Sequence, residues 1–456
     1  MAPHFAKEIP TRLSMWQRVR EYAVPLSMIE TATSRRAAGD WAGACAAARV
    51  DVDLDLRAVR DRHGTELVTR LRADLRRLAP DLLRWHMPRI APDGRLRPGL
   101  TLTLARYPGS AQLVVRTPPA WADAGQRMSL ALWEESGSPA PGHHPHPYPD
   151  RRFRLDLHRH LWDSGRSGEL ARRCAADGVP DSTWNTASWA TEAELLLRAE
   201  GRPRGAFTVR LDARSRAVLE LVAPDDSHVP TLRPLRRALP SQEVAALPVL
   251  PEAAARVLPD LELLRAGLIT ADRLHPLVAA ALAGYGSAPV NRPVPEPGDP
   301  HRVECRGEVH RIALRDGVLT AVDHHPAELR REELLVALGG PPLPCLRAID
   351  AVHRSPEALP AVRERLRHGD VAGALAVVEG LLGPGAMLRD GPLREELESA
   401  AARRIEHGLF RSGLVAVHPA AGGGGDAHRP RLDRRTPPMW RSKRGNRARP
   451  RTGMAS

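Results

Sequence analysis

Lysine is almost missing from this chain. Of its 67 lysines and arginines, only Lys7 and Lys443 are lysine, which leaves 65 arginines among 456 residues. A P-loop needs a lysine that reaches the phosphates, a protein kinase needs a strand lysine, and a pyridoxal enzyme needs a Schiff-base lysine. Lys7 lies in the first residues and Lys443 in a basic tail, outside any expected pocket. These three classes are therefore excluded in their usual forms. The sequence also lacks a Gly-x-Ser-x-Gly elbow, a His-Glu-x-x-His pair and a Gly-x-Gly-x-x-Gly turn.

Aromatic residues are scarce too. Four Phe and four Tyr leave the cores to Leu, Val and Ala, with eight of the nine Trp, all but Trp440, as bulky anchors. The four cysteines, Cys45, Cys174, Cys305 and Cys345, lie far apart and none sits in a Cys-x-x-Cys pair. That spacing argues against a disulfide scaffold and for buried, reduced thiols. No apolar run approaches the ~20 residues that span a bilayer; the longest lies near Leu277–Ala283. The first residues carry no apolar signal core. The expectation is a cytoplasmic protein with no membrane contact.

Positive charge is abundant but uneven. Residues 421–456 hold ten cations and two anions, a balance of +8 out of the chain's +13. The remainder is nearly ordinary, and the richness in Arg, Ala, Gly and Pro is what GC-rich codons produce.

The periodicity predicts an α+β chain: N-terminal helices, an antiparallel β-rich middle, a mixed hairpin-plus-helices C-terminal domain and a disordered basic tail. Residues 1–97 read as helical, with Leu67, Leu71, Leu75 and Leu78 on one stripe. Residues 98–240 read as the β-rich domain. Within it Leu100–Leu104, Gln112–Thr117 and Met128–Leu132 alternate with period two, as does Phe153–Leu157. Ala193–Ala199, Gly205–Leu211 and Arg216–Ala223 are read as further strands. Residues 241–288 return to helix, and 289–300 form a Pro-rich linker. Residues 301–411 combine a hairpin, turning at Asp316-Gly317, with helices. The last helix starts at Pro392 and carries Leu393, Leu397, Ala401, Ile405 and Leu409. Residues 412–456 are the tail. Gly39-Asp40 and Gly369-Asp370 each precede an Ala-rich stretch and match at six of eight positions, as expected of a tight helix–helix turn capped by Asp.

Several clusters could carry chemistry, and each also has a plain reading. His143, His144 and His146 fall in a Pro-broken loop that suits a polar surface. Cys305, His310, His324, His325 and Cys345 could converge on zinc, but their spacing fits no standard finger and His310 reads as a half-buried sheet residue. Asp51, Asp53 and Asp55 would share a strand face; a hard cation or a solvent edge and helix entry both fit. Arg154, Asp156 and His158 would share the polar face of the Phe153 strand, where a general base beside a carboxylate is conceivable. No catalytic, cofactor or metal residue is assigned. In the tail, Arg441, Lys443, Arg444, Arg447, Arg449 and Arg451 form a cluster able to neutralise phosphates without reading sequence.

Trp41–Asp55, Asp81–Pro88 and Arg152–Trp162 resemble stretches of proteins from high-GC actinobacteria that carry no established activity. The resemblance spans most of residues 10–410 and leaves out the tail. It implies a shared lineage and a cytoplasmic setting, and it brings no ligand or catalytic residue. The leading expectation is a non-catalytic interaction or scaffold protein that binds protein partners and needs no cofactor. The alternatives are a hydrolase-type enzyme with its site near Asp156 and His158, and weak nonspecific nucleic-acid binding through the tail.

Overall fold

Pro25 ends the first helical stretch, and the chain then folds back on itself repeatedly. The computed structural model describes residues 11–135, 148–174, 182–202, 204–212, 215–222, 229–283, 302–305 and 307–414. Helix α1 (Thr11–Arg18) runs into a π-helical turn, Val19–Ala23, and is followed by α2 (Leu26–Ala37) and α3 (Trp41–Ala47). Strand β1 (Val50–Asp53) then precedes α4 (Leu56–Arg77) and α5 (Pro80–His86). The expected stripe of α4 is buried from Leu67 to Leu78. Strand β1 corrects the all-helical reading of 1–97. Its four residues pair in parallel with β4, far along the chain, and local periodicity cannot show such a partner.

Strands β2 (Thr101–Arg106), β3 (Gln112–Arg116) and β4 (Met128–Trp133) complete a sheet of order β1-β4-β3-β2, antiparallel except at β1. Five successive residues of β2, from Thr101 to Ala105, are buried, so it is covered on both faces. The free edge of β2 is covered by residues 150–156: Asp150 and Asp156 donate their N–H groups to the Thr101 and Thr103 carbonyls at 2.8 and 3.0 Å. This segment is not the strand expected at Phe153–Leu157. Hydrogen bonds from Phe153 to Asp150, Leu157 to Arg154 and His158 to Leu155 curl it into successive turns, with one bridge, Arg154 to Thr103.

Helices α6 (Leu170–Cys174) and α7 (Trp189–Ala199) follow, then a second antiparallel sheet of β5 (Gly205–Arg210), β6 (Arg216–Val222) and β7 (Thr231–Pro234). Helix α7 overturns the strand expected at Ala193–Ala199. Trp189, Ala193 and Leu197 recur at helical spacing and are buried against Phe207 and Val209. Four short helices follow, α8 (Ser241–Ala246), α9 (Glu252–Ala255), α10 (Pro259–Arg265) and α11 (Pro276–Ala281); α9 buries Ala254 and Ala255 with the second sheet, and α10 and α11 return the chain to the N-terminal core.

The C-terminal module holds a third sheet, β8 (Arg302–Cys305), β9 (Glu308–Arg315) and β10 (Val318–Ala321), in order β10-β9-β8. Asp316 and Gly317 turn its hairpin with φ of 55° and 79°, as the Asp-Gly pair predicts. Helices α12 (Pro326–Ala337), α13 (Pro344–Arg354), α14 (Leu359–Arg367), α15 (Val371–Leu382) and α16 (Pro392–Arg411) follow. The Pro-rich stretch 289–300 and the tail from residue 415 lie outside the described residues.

The sequence echo is one turn built twice. Asp40 and Asp370 each accept the N–H of the glycine three residues on, Gly43 at 2.7 Å and Gly373 at 3.2 Å. Arg35 and Arg365, each five residues earlier, hold the other oxygen of that carboxylate at 3.2 and 2.8 Å. The second copy also docks the C-terminal module on the body. Arg49 donates to the His368 carbonyl at 2.9 Å and to Asp370 at 3.3 Å. Gly369, at φ 80°, lets the Gly125 carbonyl occupy the space of a Cβ. At the far end His407 lies 2.8 Å from the Ala122 carbonyl, and Arg411 grips Asp53 with both nitrogens at 2.8 and 2.5 Å.

Candidate functional site

Five separate stretches of chain meet around a cleft of about 120 Å³. Helix α1 supplies Trp16. The end of α5 supplies His86 and Met87. The turns over β2 supply Phe153 and Leu155, α6 supplies Cys174, and the approach to α10 supplies Val257 and Leu258. The wall is mostly apolar. Its charged groups are the guanidinium groups of Arg12, Arg20, Arg152, Arg154 and Arg256, with Glu252 as the only carboxylate.

The scaffold of the cleft is a buried ion pair. Arg20 donates from Nε and a terminal nitrogen to Asp260 at 2.8 and 2.7 Å, and to the Trp85 carbonyl at 2.7 Å. The Trp85 indole donates to the same carboxylate at 3.1 Å. The guanidinium carbon lies 5.0 Å from the Trp16 ring and 4.3 Å from the Trp85 ring. Trp16 is thus fixed in the cleft wall by a residue four positions further along the same helical stretch.

His86 has an assigned tautomer. Its Nδ1 lies 3.1 Å from both the Leu82 and Leu161 carbonyls, which can only accept, so Nδ1 carries the proton. Its Nε2 is buried, is an acceptor, and has no protein partner. Burial pushes the imidazole down to about 4, so it is neutral at pH 7. Cys174 behaves differently from a catalytic thiol. Burial, and next Glu192, push it up to about 12. Arg173 stands 3.4 Å from His160 Nδ1 and can only donate. That leaves the proton on His160 Nε2, which faces the Cys174 sulfur at 3.6 Å. The imidazole is therefore not placed to take a proton from the thiol.

The residues singled out in the sequence fall as follows. Asp156 and His158 have different partners. Asp156 takes both Arg154 donors at 2.8 Å, whereas His158 Nε2 lies 3.2 Å from Glu192. Burial alone would raise Glu192, but His158 and Arg173 override it and hold the carboxyl at about 2. His158 is buried rather than on a polar strand face. Asp51 pairs with Arg127, Asp53 with Arg411, and Asp55 caps α4 through Arg57 and Ala58. The aspartates are neutralised by arginine or backbone, which is the helix-entry reading rather than a cation site. His143, His144 and His146, and Arg441, Lys443, Arg444, Arg447, Arg449 and Arg451, lie outside the described residues.

One set does converge. A ring nitrogen of His324 and the sulfurs of Cys305 and Cys345 lie within 4.8 Å of one another, all three residues buried. His310 stacks on His324 with centroids 4.2 Å apart. All four cysteines are buried and free. His325 instead caps α12, accepting the Ala327 N–H at 3.2 Å.

Sequence reasoning missed His86, Cys174 and Trp16 as cleft residues. They come from segments with no shared motif, so only the tertiary fold assembles them. Among the described residues no helix is long and apolar enough to cross a membrane. No protein-family model, curated protein or solved structure matches the chain.

Proposed function

We propose that the protein acts without catalysis, as an interaction protein whose cleft takes one apolar side chain of a protein partner, flanked there by acidic residues. The observation that supports this most is the size of the cleft together with its walls. A cavity of ~150 Å³ holds one benzene. A cleft of about 120 Å³ therefore suits a single aliphatic side chain, whereas drug-sized ligands need roughly 300 Å³ or more. Single apolar anchors seated in aromatic-walled pockets carry much of the energy of protein interfaces. Arg12, Arg20, Arg152 and Arg154 are each paired with a carboxylate, Glu262, Asp260, Asp150 and Asp156, which leaves Arg256 in the cleft wall to favour an acidic residue beside the anchor. His86 Nε2 offers an acceptor for an incoming N–H.

The test titrates the full chain with an acetylated peptide carrying leucine between glutamates, against versions with serine for leucine and lysine for glutamate. The leucine peptide binds, the serine peptide binds at least ~10-fold more weakly, and added salt lowers the affinity. Ala253→Phe, which fills the cleft, abolishes binding while leaving the melting curve intact. Equal binding of the leucine and serine peptides, or undiminished binding to folded Ala253→Phe, rejects the proposal.

A further inference from the structure

The C-terminal module carries a second feature, independent of the cleft. Cys305 ends β8, Cys345 sits in the first turn of α13, and His324 lies in the turn between β10 and α12. These three elements pack on one core, and both cysteines are wholly buried within it. Two thiols and an imidazole within 4.8 Å of one another form a soft donor set in an otherwise aliphatic interior. Zinc bonded at ~2.3 Å to sulfur and ~2.0 Å to nitrogen sets tetrahedral ligand separations of roughly 3.5–3.8 Å. The observed cluster reaches that spacing with a contraction of no more than about 1.3 Å.

The histidines point the same way. His324 Nε2 is buried with no hydrogen-bond partner, while Nδ1 faces the Glu328 carboxylate at 3.8 Å. A carboxylate behind a ligating imidazole is the usual support of a zinc histidine. His310 stacks on the same ring, and its Nδ1 is also buried without a partner. On β9 it pairs with Val303, two residues before Cys305, which puts it on the same face of the sheet. Two buried imidazole nitrogens lacking partners beside two buried thiols are costly unless something binds them.

We propose that Cys305, Cys345 and His324 bind a zinc ion, with water or another small ligand in the fourth position and His310 stacked on the ligating ring. The metal ties the end of a strand to the entries of two helices and so staples the small sheet to its helical cover. The donor set, Cys-x18-His-x20-Cys, is spaced unlike a finger. Binding converts both thiols to thiolates, which donate their electron pairs to the metal, and the two protons pass to solvent.

The experiment uses the full chain, purified under reducing conditions. Elemental analysis after dialysis finds about one zinc per chain, and the cobalt-loaded protein shows thiolate-to-cobalt charge transfer with intense tetrahedral bands. Cys345→Ser and His324→Ala each lower zinc affinity by roughly 10-fold or more. Because both substitutions alter buried residues of the module, the cobalt spectrum of the unaltered chain stands as the independent readout. Three results overturn the proposal: no metal uptake by the folded chain with zinc or cobalt in excess; a cobalt spectrum without thiolate bands; or a Cys305–Cys345 disulfide formed in place of metal binding.

Discussion

Replacing Asp260 by alanine tests how the cleft is held. Asp260 is fully buried and accepts from two Arg20 nitrogens and the Trp85 indole. Its loss leaves a guanidinium whose side chain is only 2% exposed, with the Trp85 carbonyl as its remaining hydrogen-bond partner. Breaking one side of such a pair costs about 3–5 kcal/mol. Arg20→Leu alone strands the carboxylate in the same way and costs a similar amount. The double variant Arg20→Leu, Asp260→Ala removes both charges together. It orphans the Trp85 carbonyl and the Trp85 indole, at about 1–3 kcal/mol each, so it costs about 2–6 kcal/mol. The singles thus sum to roughly 6–10 kcal/mol against about 2–6 for the double, a coupling of about 4 kcal/mol. Urea unfolding followed by far-UV circular dichroism measures each midpoint, with unchanged slope as the control. Trp16 leans on the same guanidinium, so both single variants also weaken peptide binding in the cleft. A loss under about 1 kcal/mol for Asp260→Ala, or strict additivity in the double, would refute the reasoning.

Three further outcomes are expected. Burial holds His86 at about 4 and His368 at about 3, below the ordinary value of 6.5. The unfolded chain therefore takes up these protons first. Stability is whole above pH ~6.5 and falls as pH drops toward 4, by about 3 kcal/mol from His86 alone; a melting temperature flat over that window at constant salt contradicts this. Gly43→Ala and Gly373→Ala drive a Cβ into the capping carboxylates of Asp40 and Asp370 and cost about 1 kcal/mol or more each. Gly380→Ala, on an exposed position of α15 with open space around it, adds about 0.5–1 kcal/mol, and thermal melts rank the three. Nucleic-acid binding, where present, falls steeply with salt and disappears on deletion of residues 421–456; binding that survives the deletion removes the tail from the proposal.

Local pattern carried some of this fold and not the rest. The α4 stripe, the Asp-Gly hairpin and the two Asp caps were legible because each depends on residues within a turn or two of one another. The four residues of β1 were not, since their strand character comes from a parallel partner more than seventy residues away. Phe153–Leu157 alternated like a strand, but turn hydrogen bonds won and left one bridge to β2. In α16 the i+4 reading of Leu393, Leu397, Ala401, Ile405 and Leu409 drifted. Each four-residue step overshoots a turn by about 40°, so the row winds around the helix. Ile405 is 67% exposed, while Leu393, Ala400 and His407 are the buried positions.

The same limit separates the two candidate sites. Cys305, His324 and Cys345 were named from residue type alone, because thiols and imidazoles are rare and their chemistry is specific. What was missing was the fold that brings a strand end and two helix entries together. The cleft's own imidazole and thiol, His86 and Cys174, come from unrelated segments that no spacing connects. Trp16, Met87, Phe153 and Leu258 are ordinary core residues in any one-dimensional reading, and His86 is a lone histidine at a helix end. Their meaning lies in what fails to cover them. The Arg20–Asp260 pair pins α1 against α10, and the turns over β2 stop short of filling the space between. An apolar recess bounded by charge is a property of the assembled surface, and no window of sequence contains it.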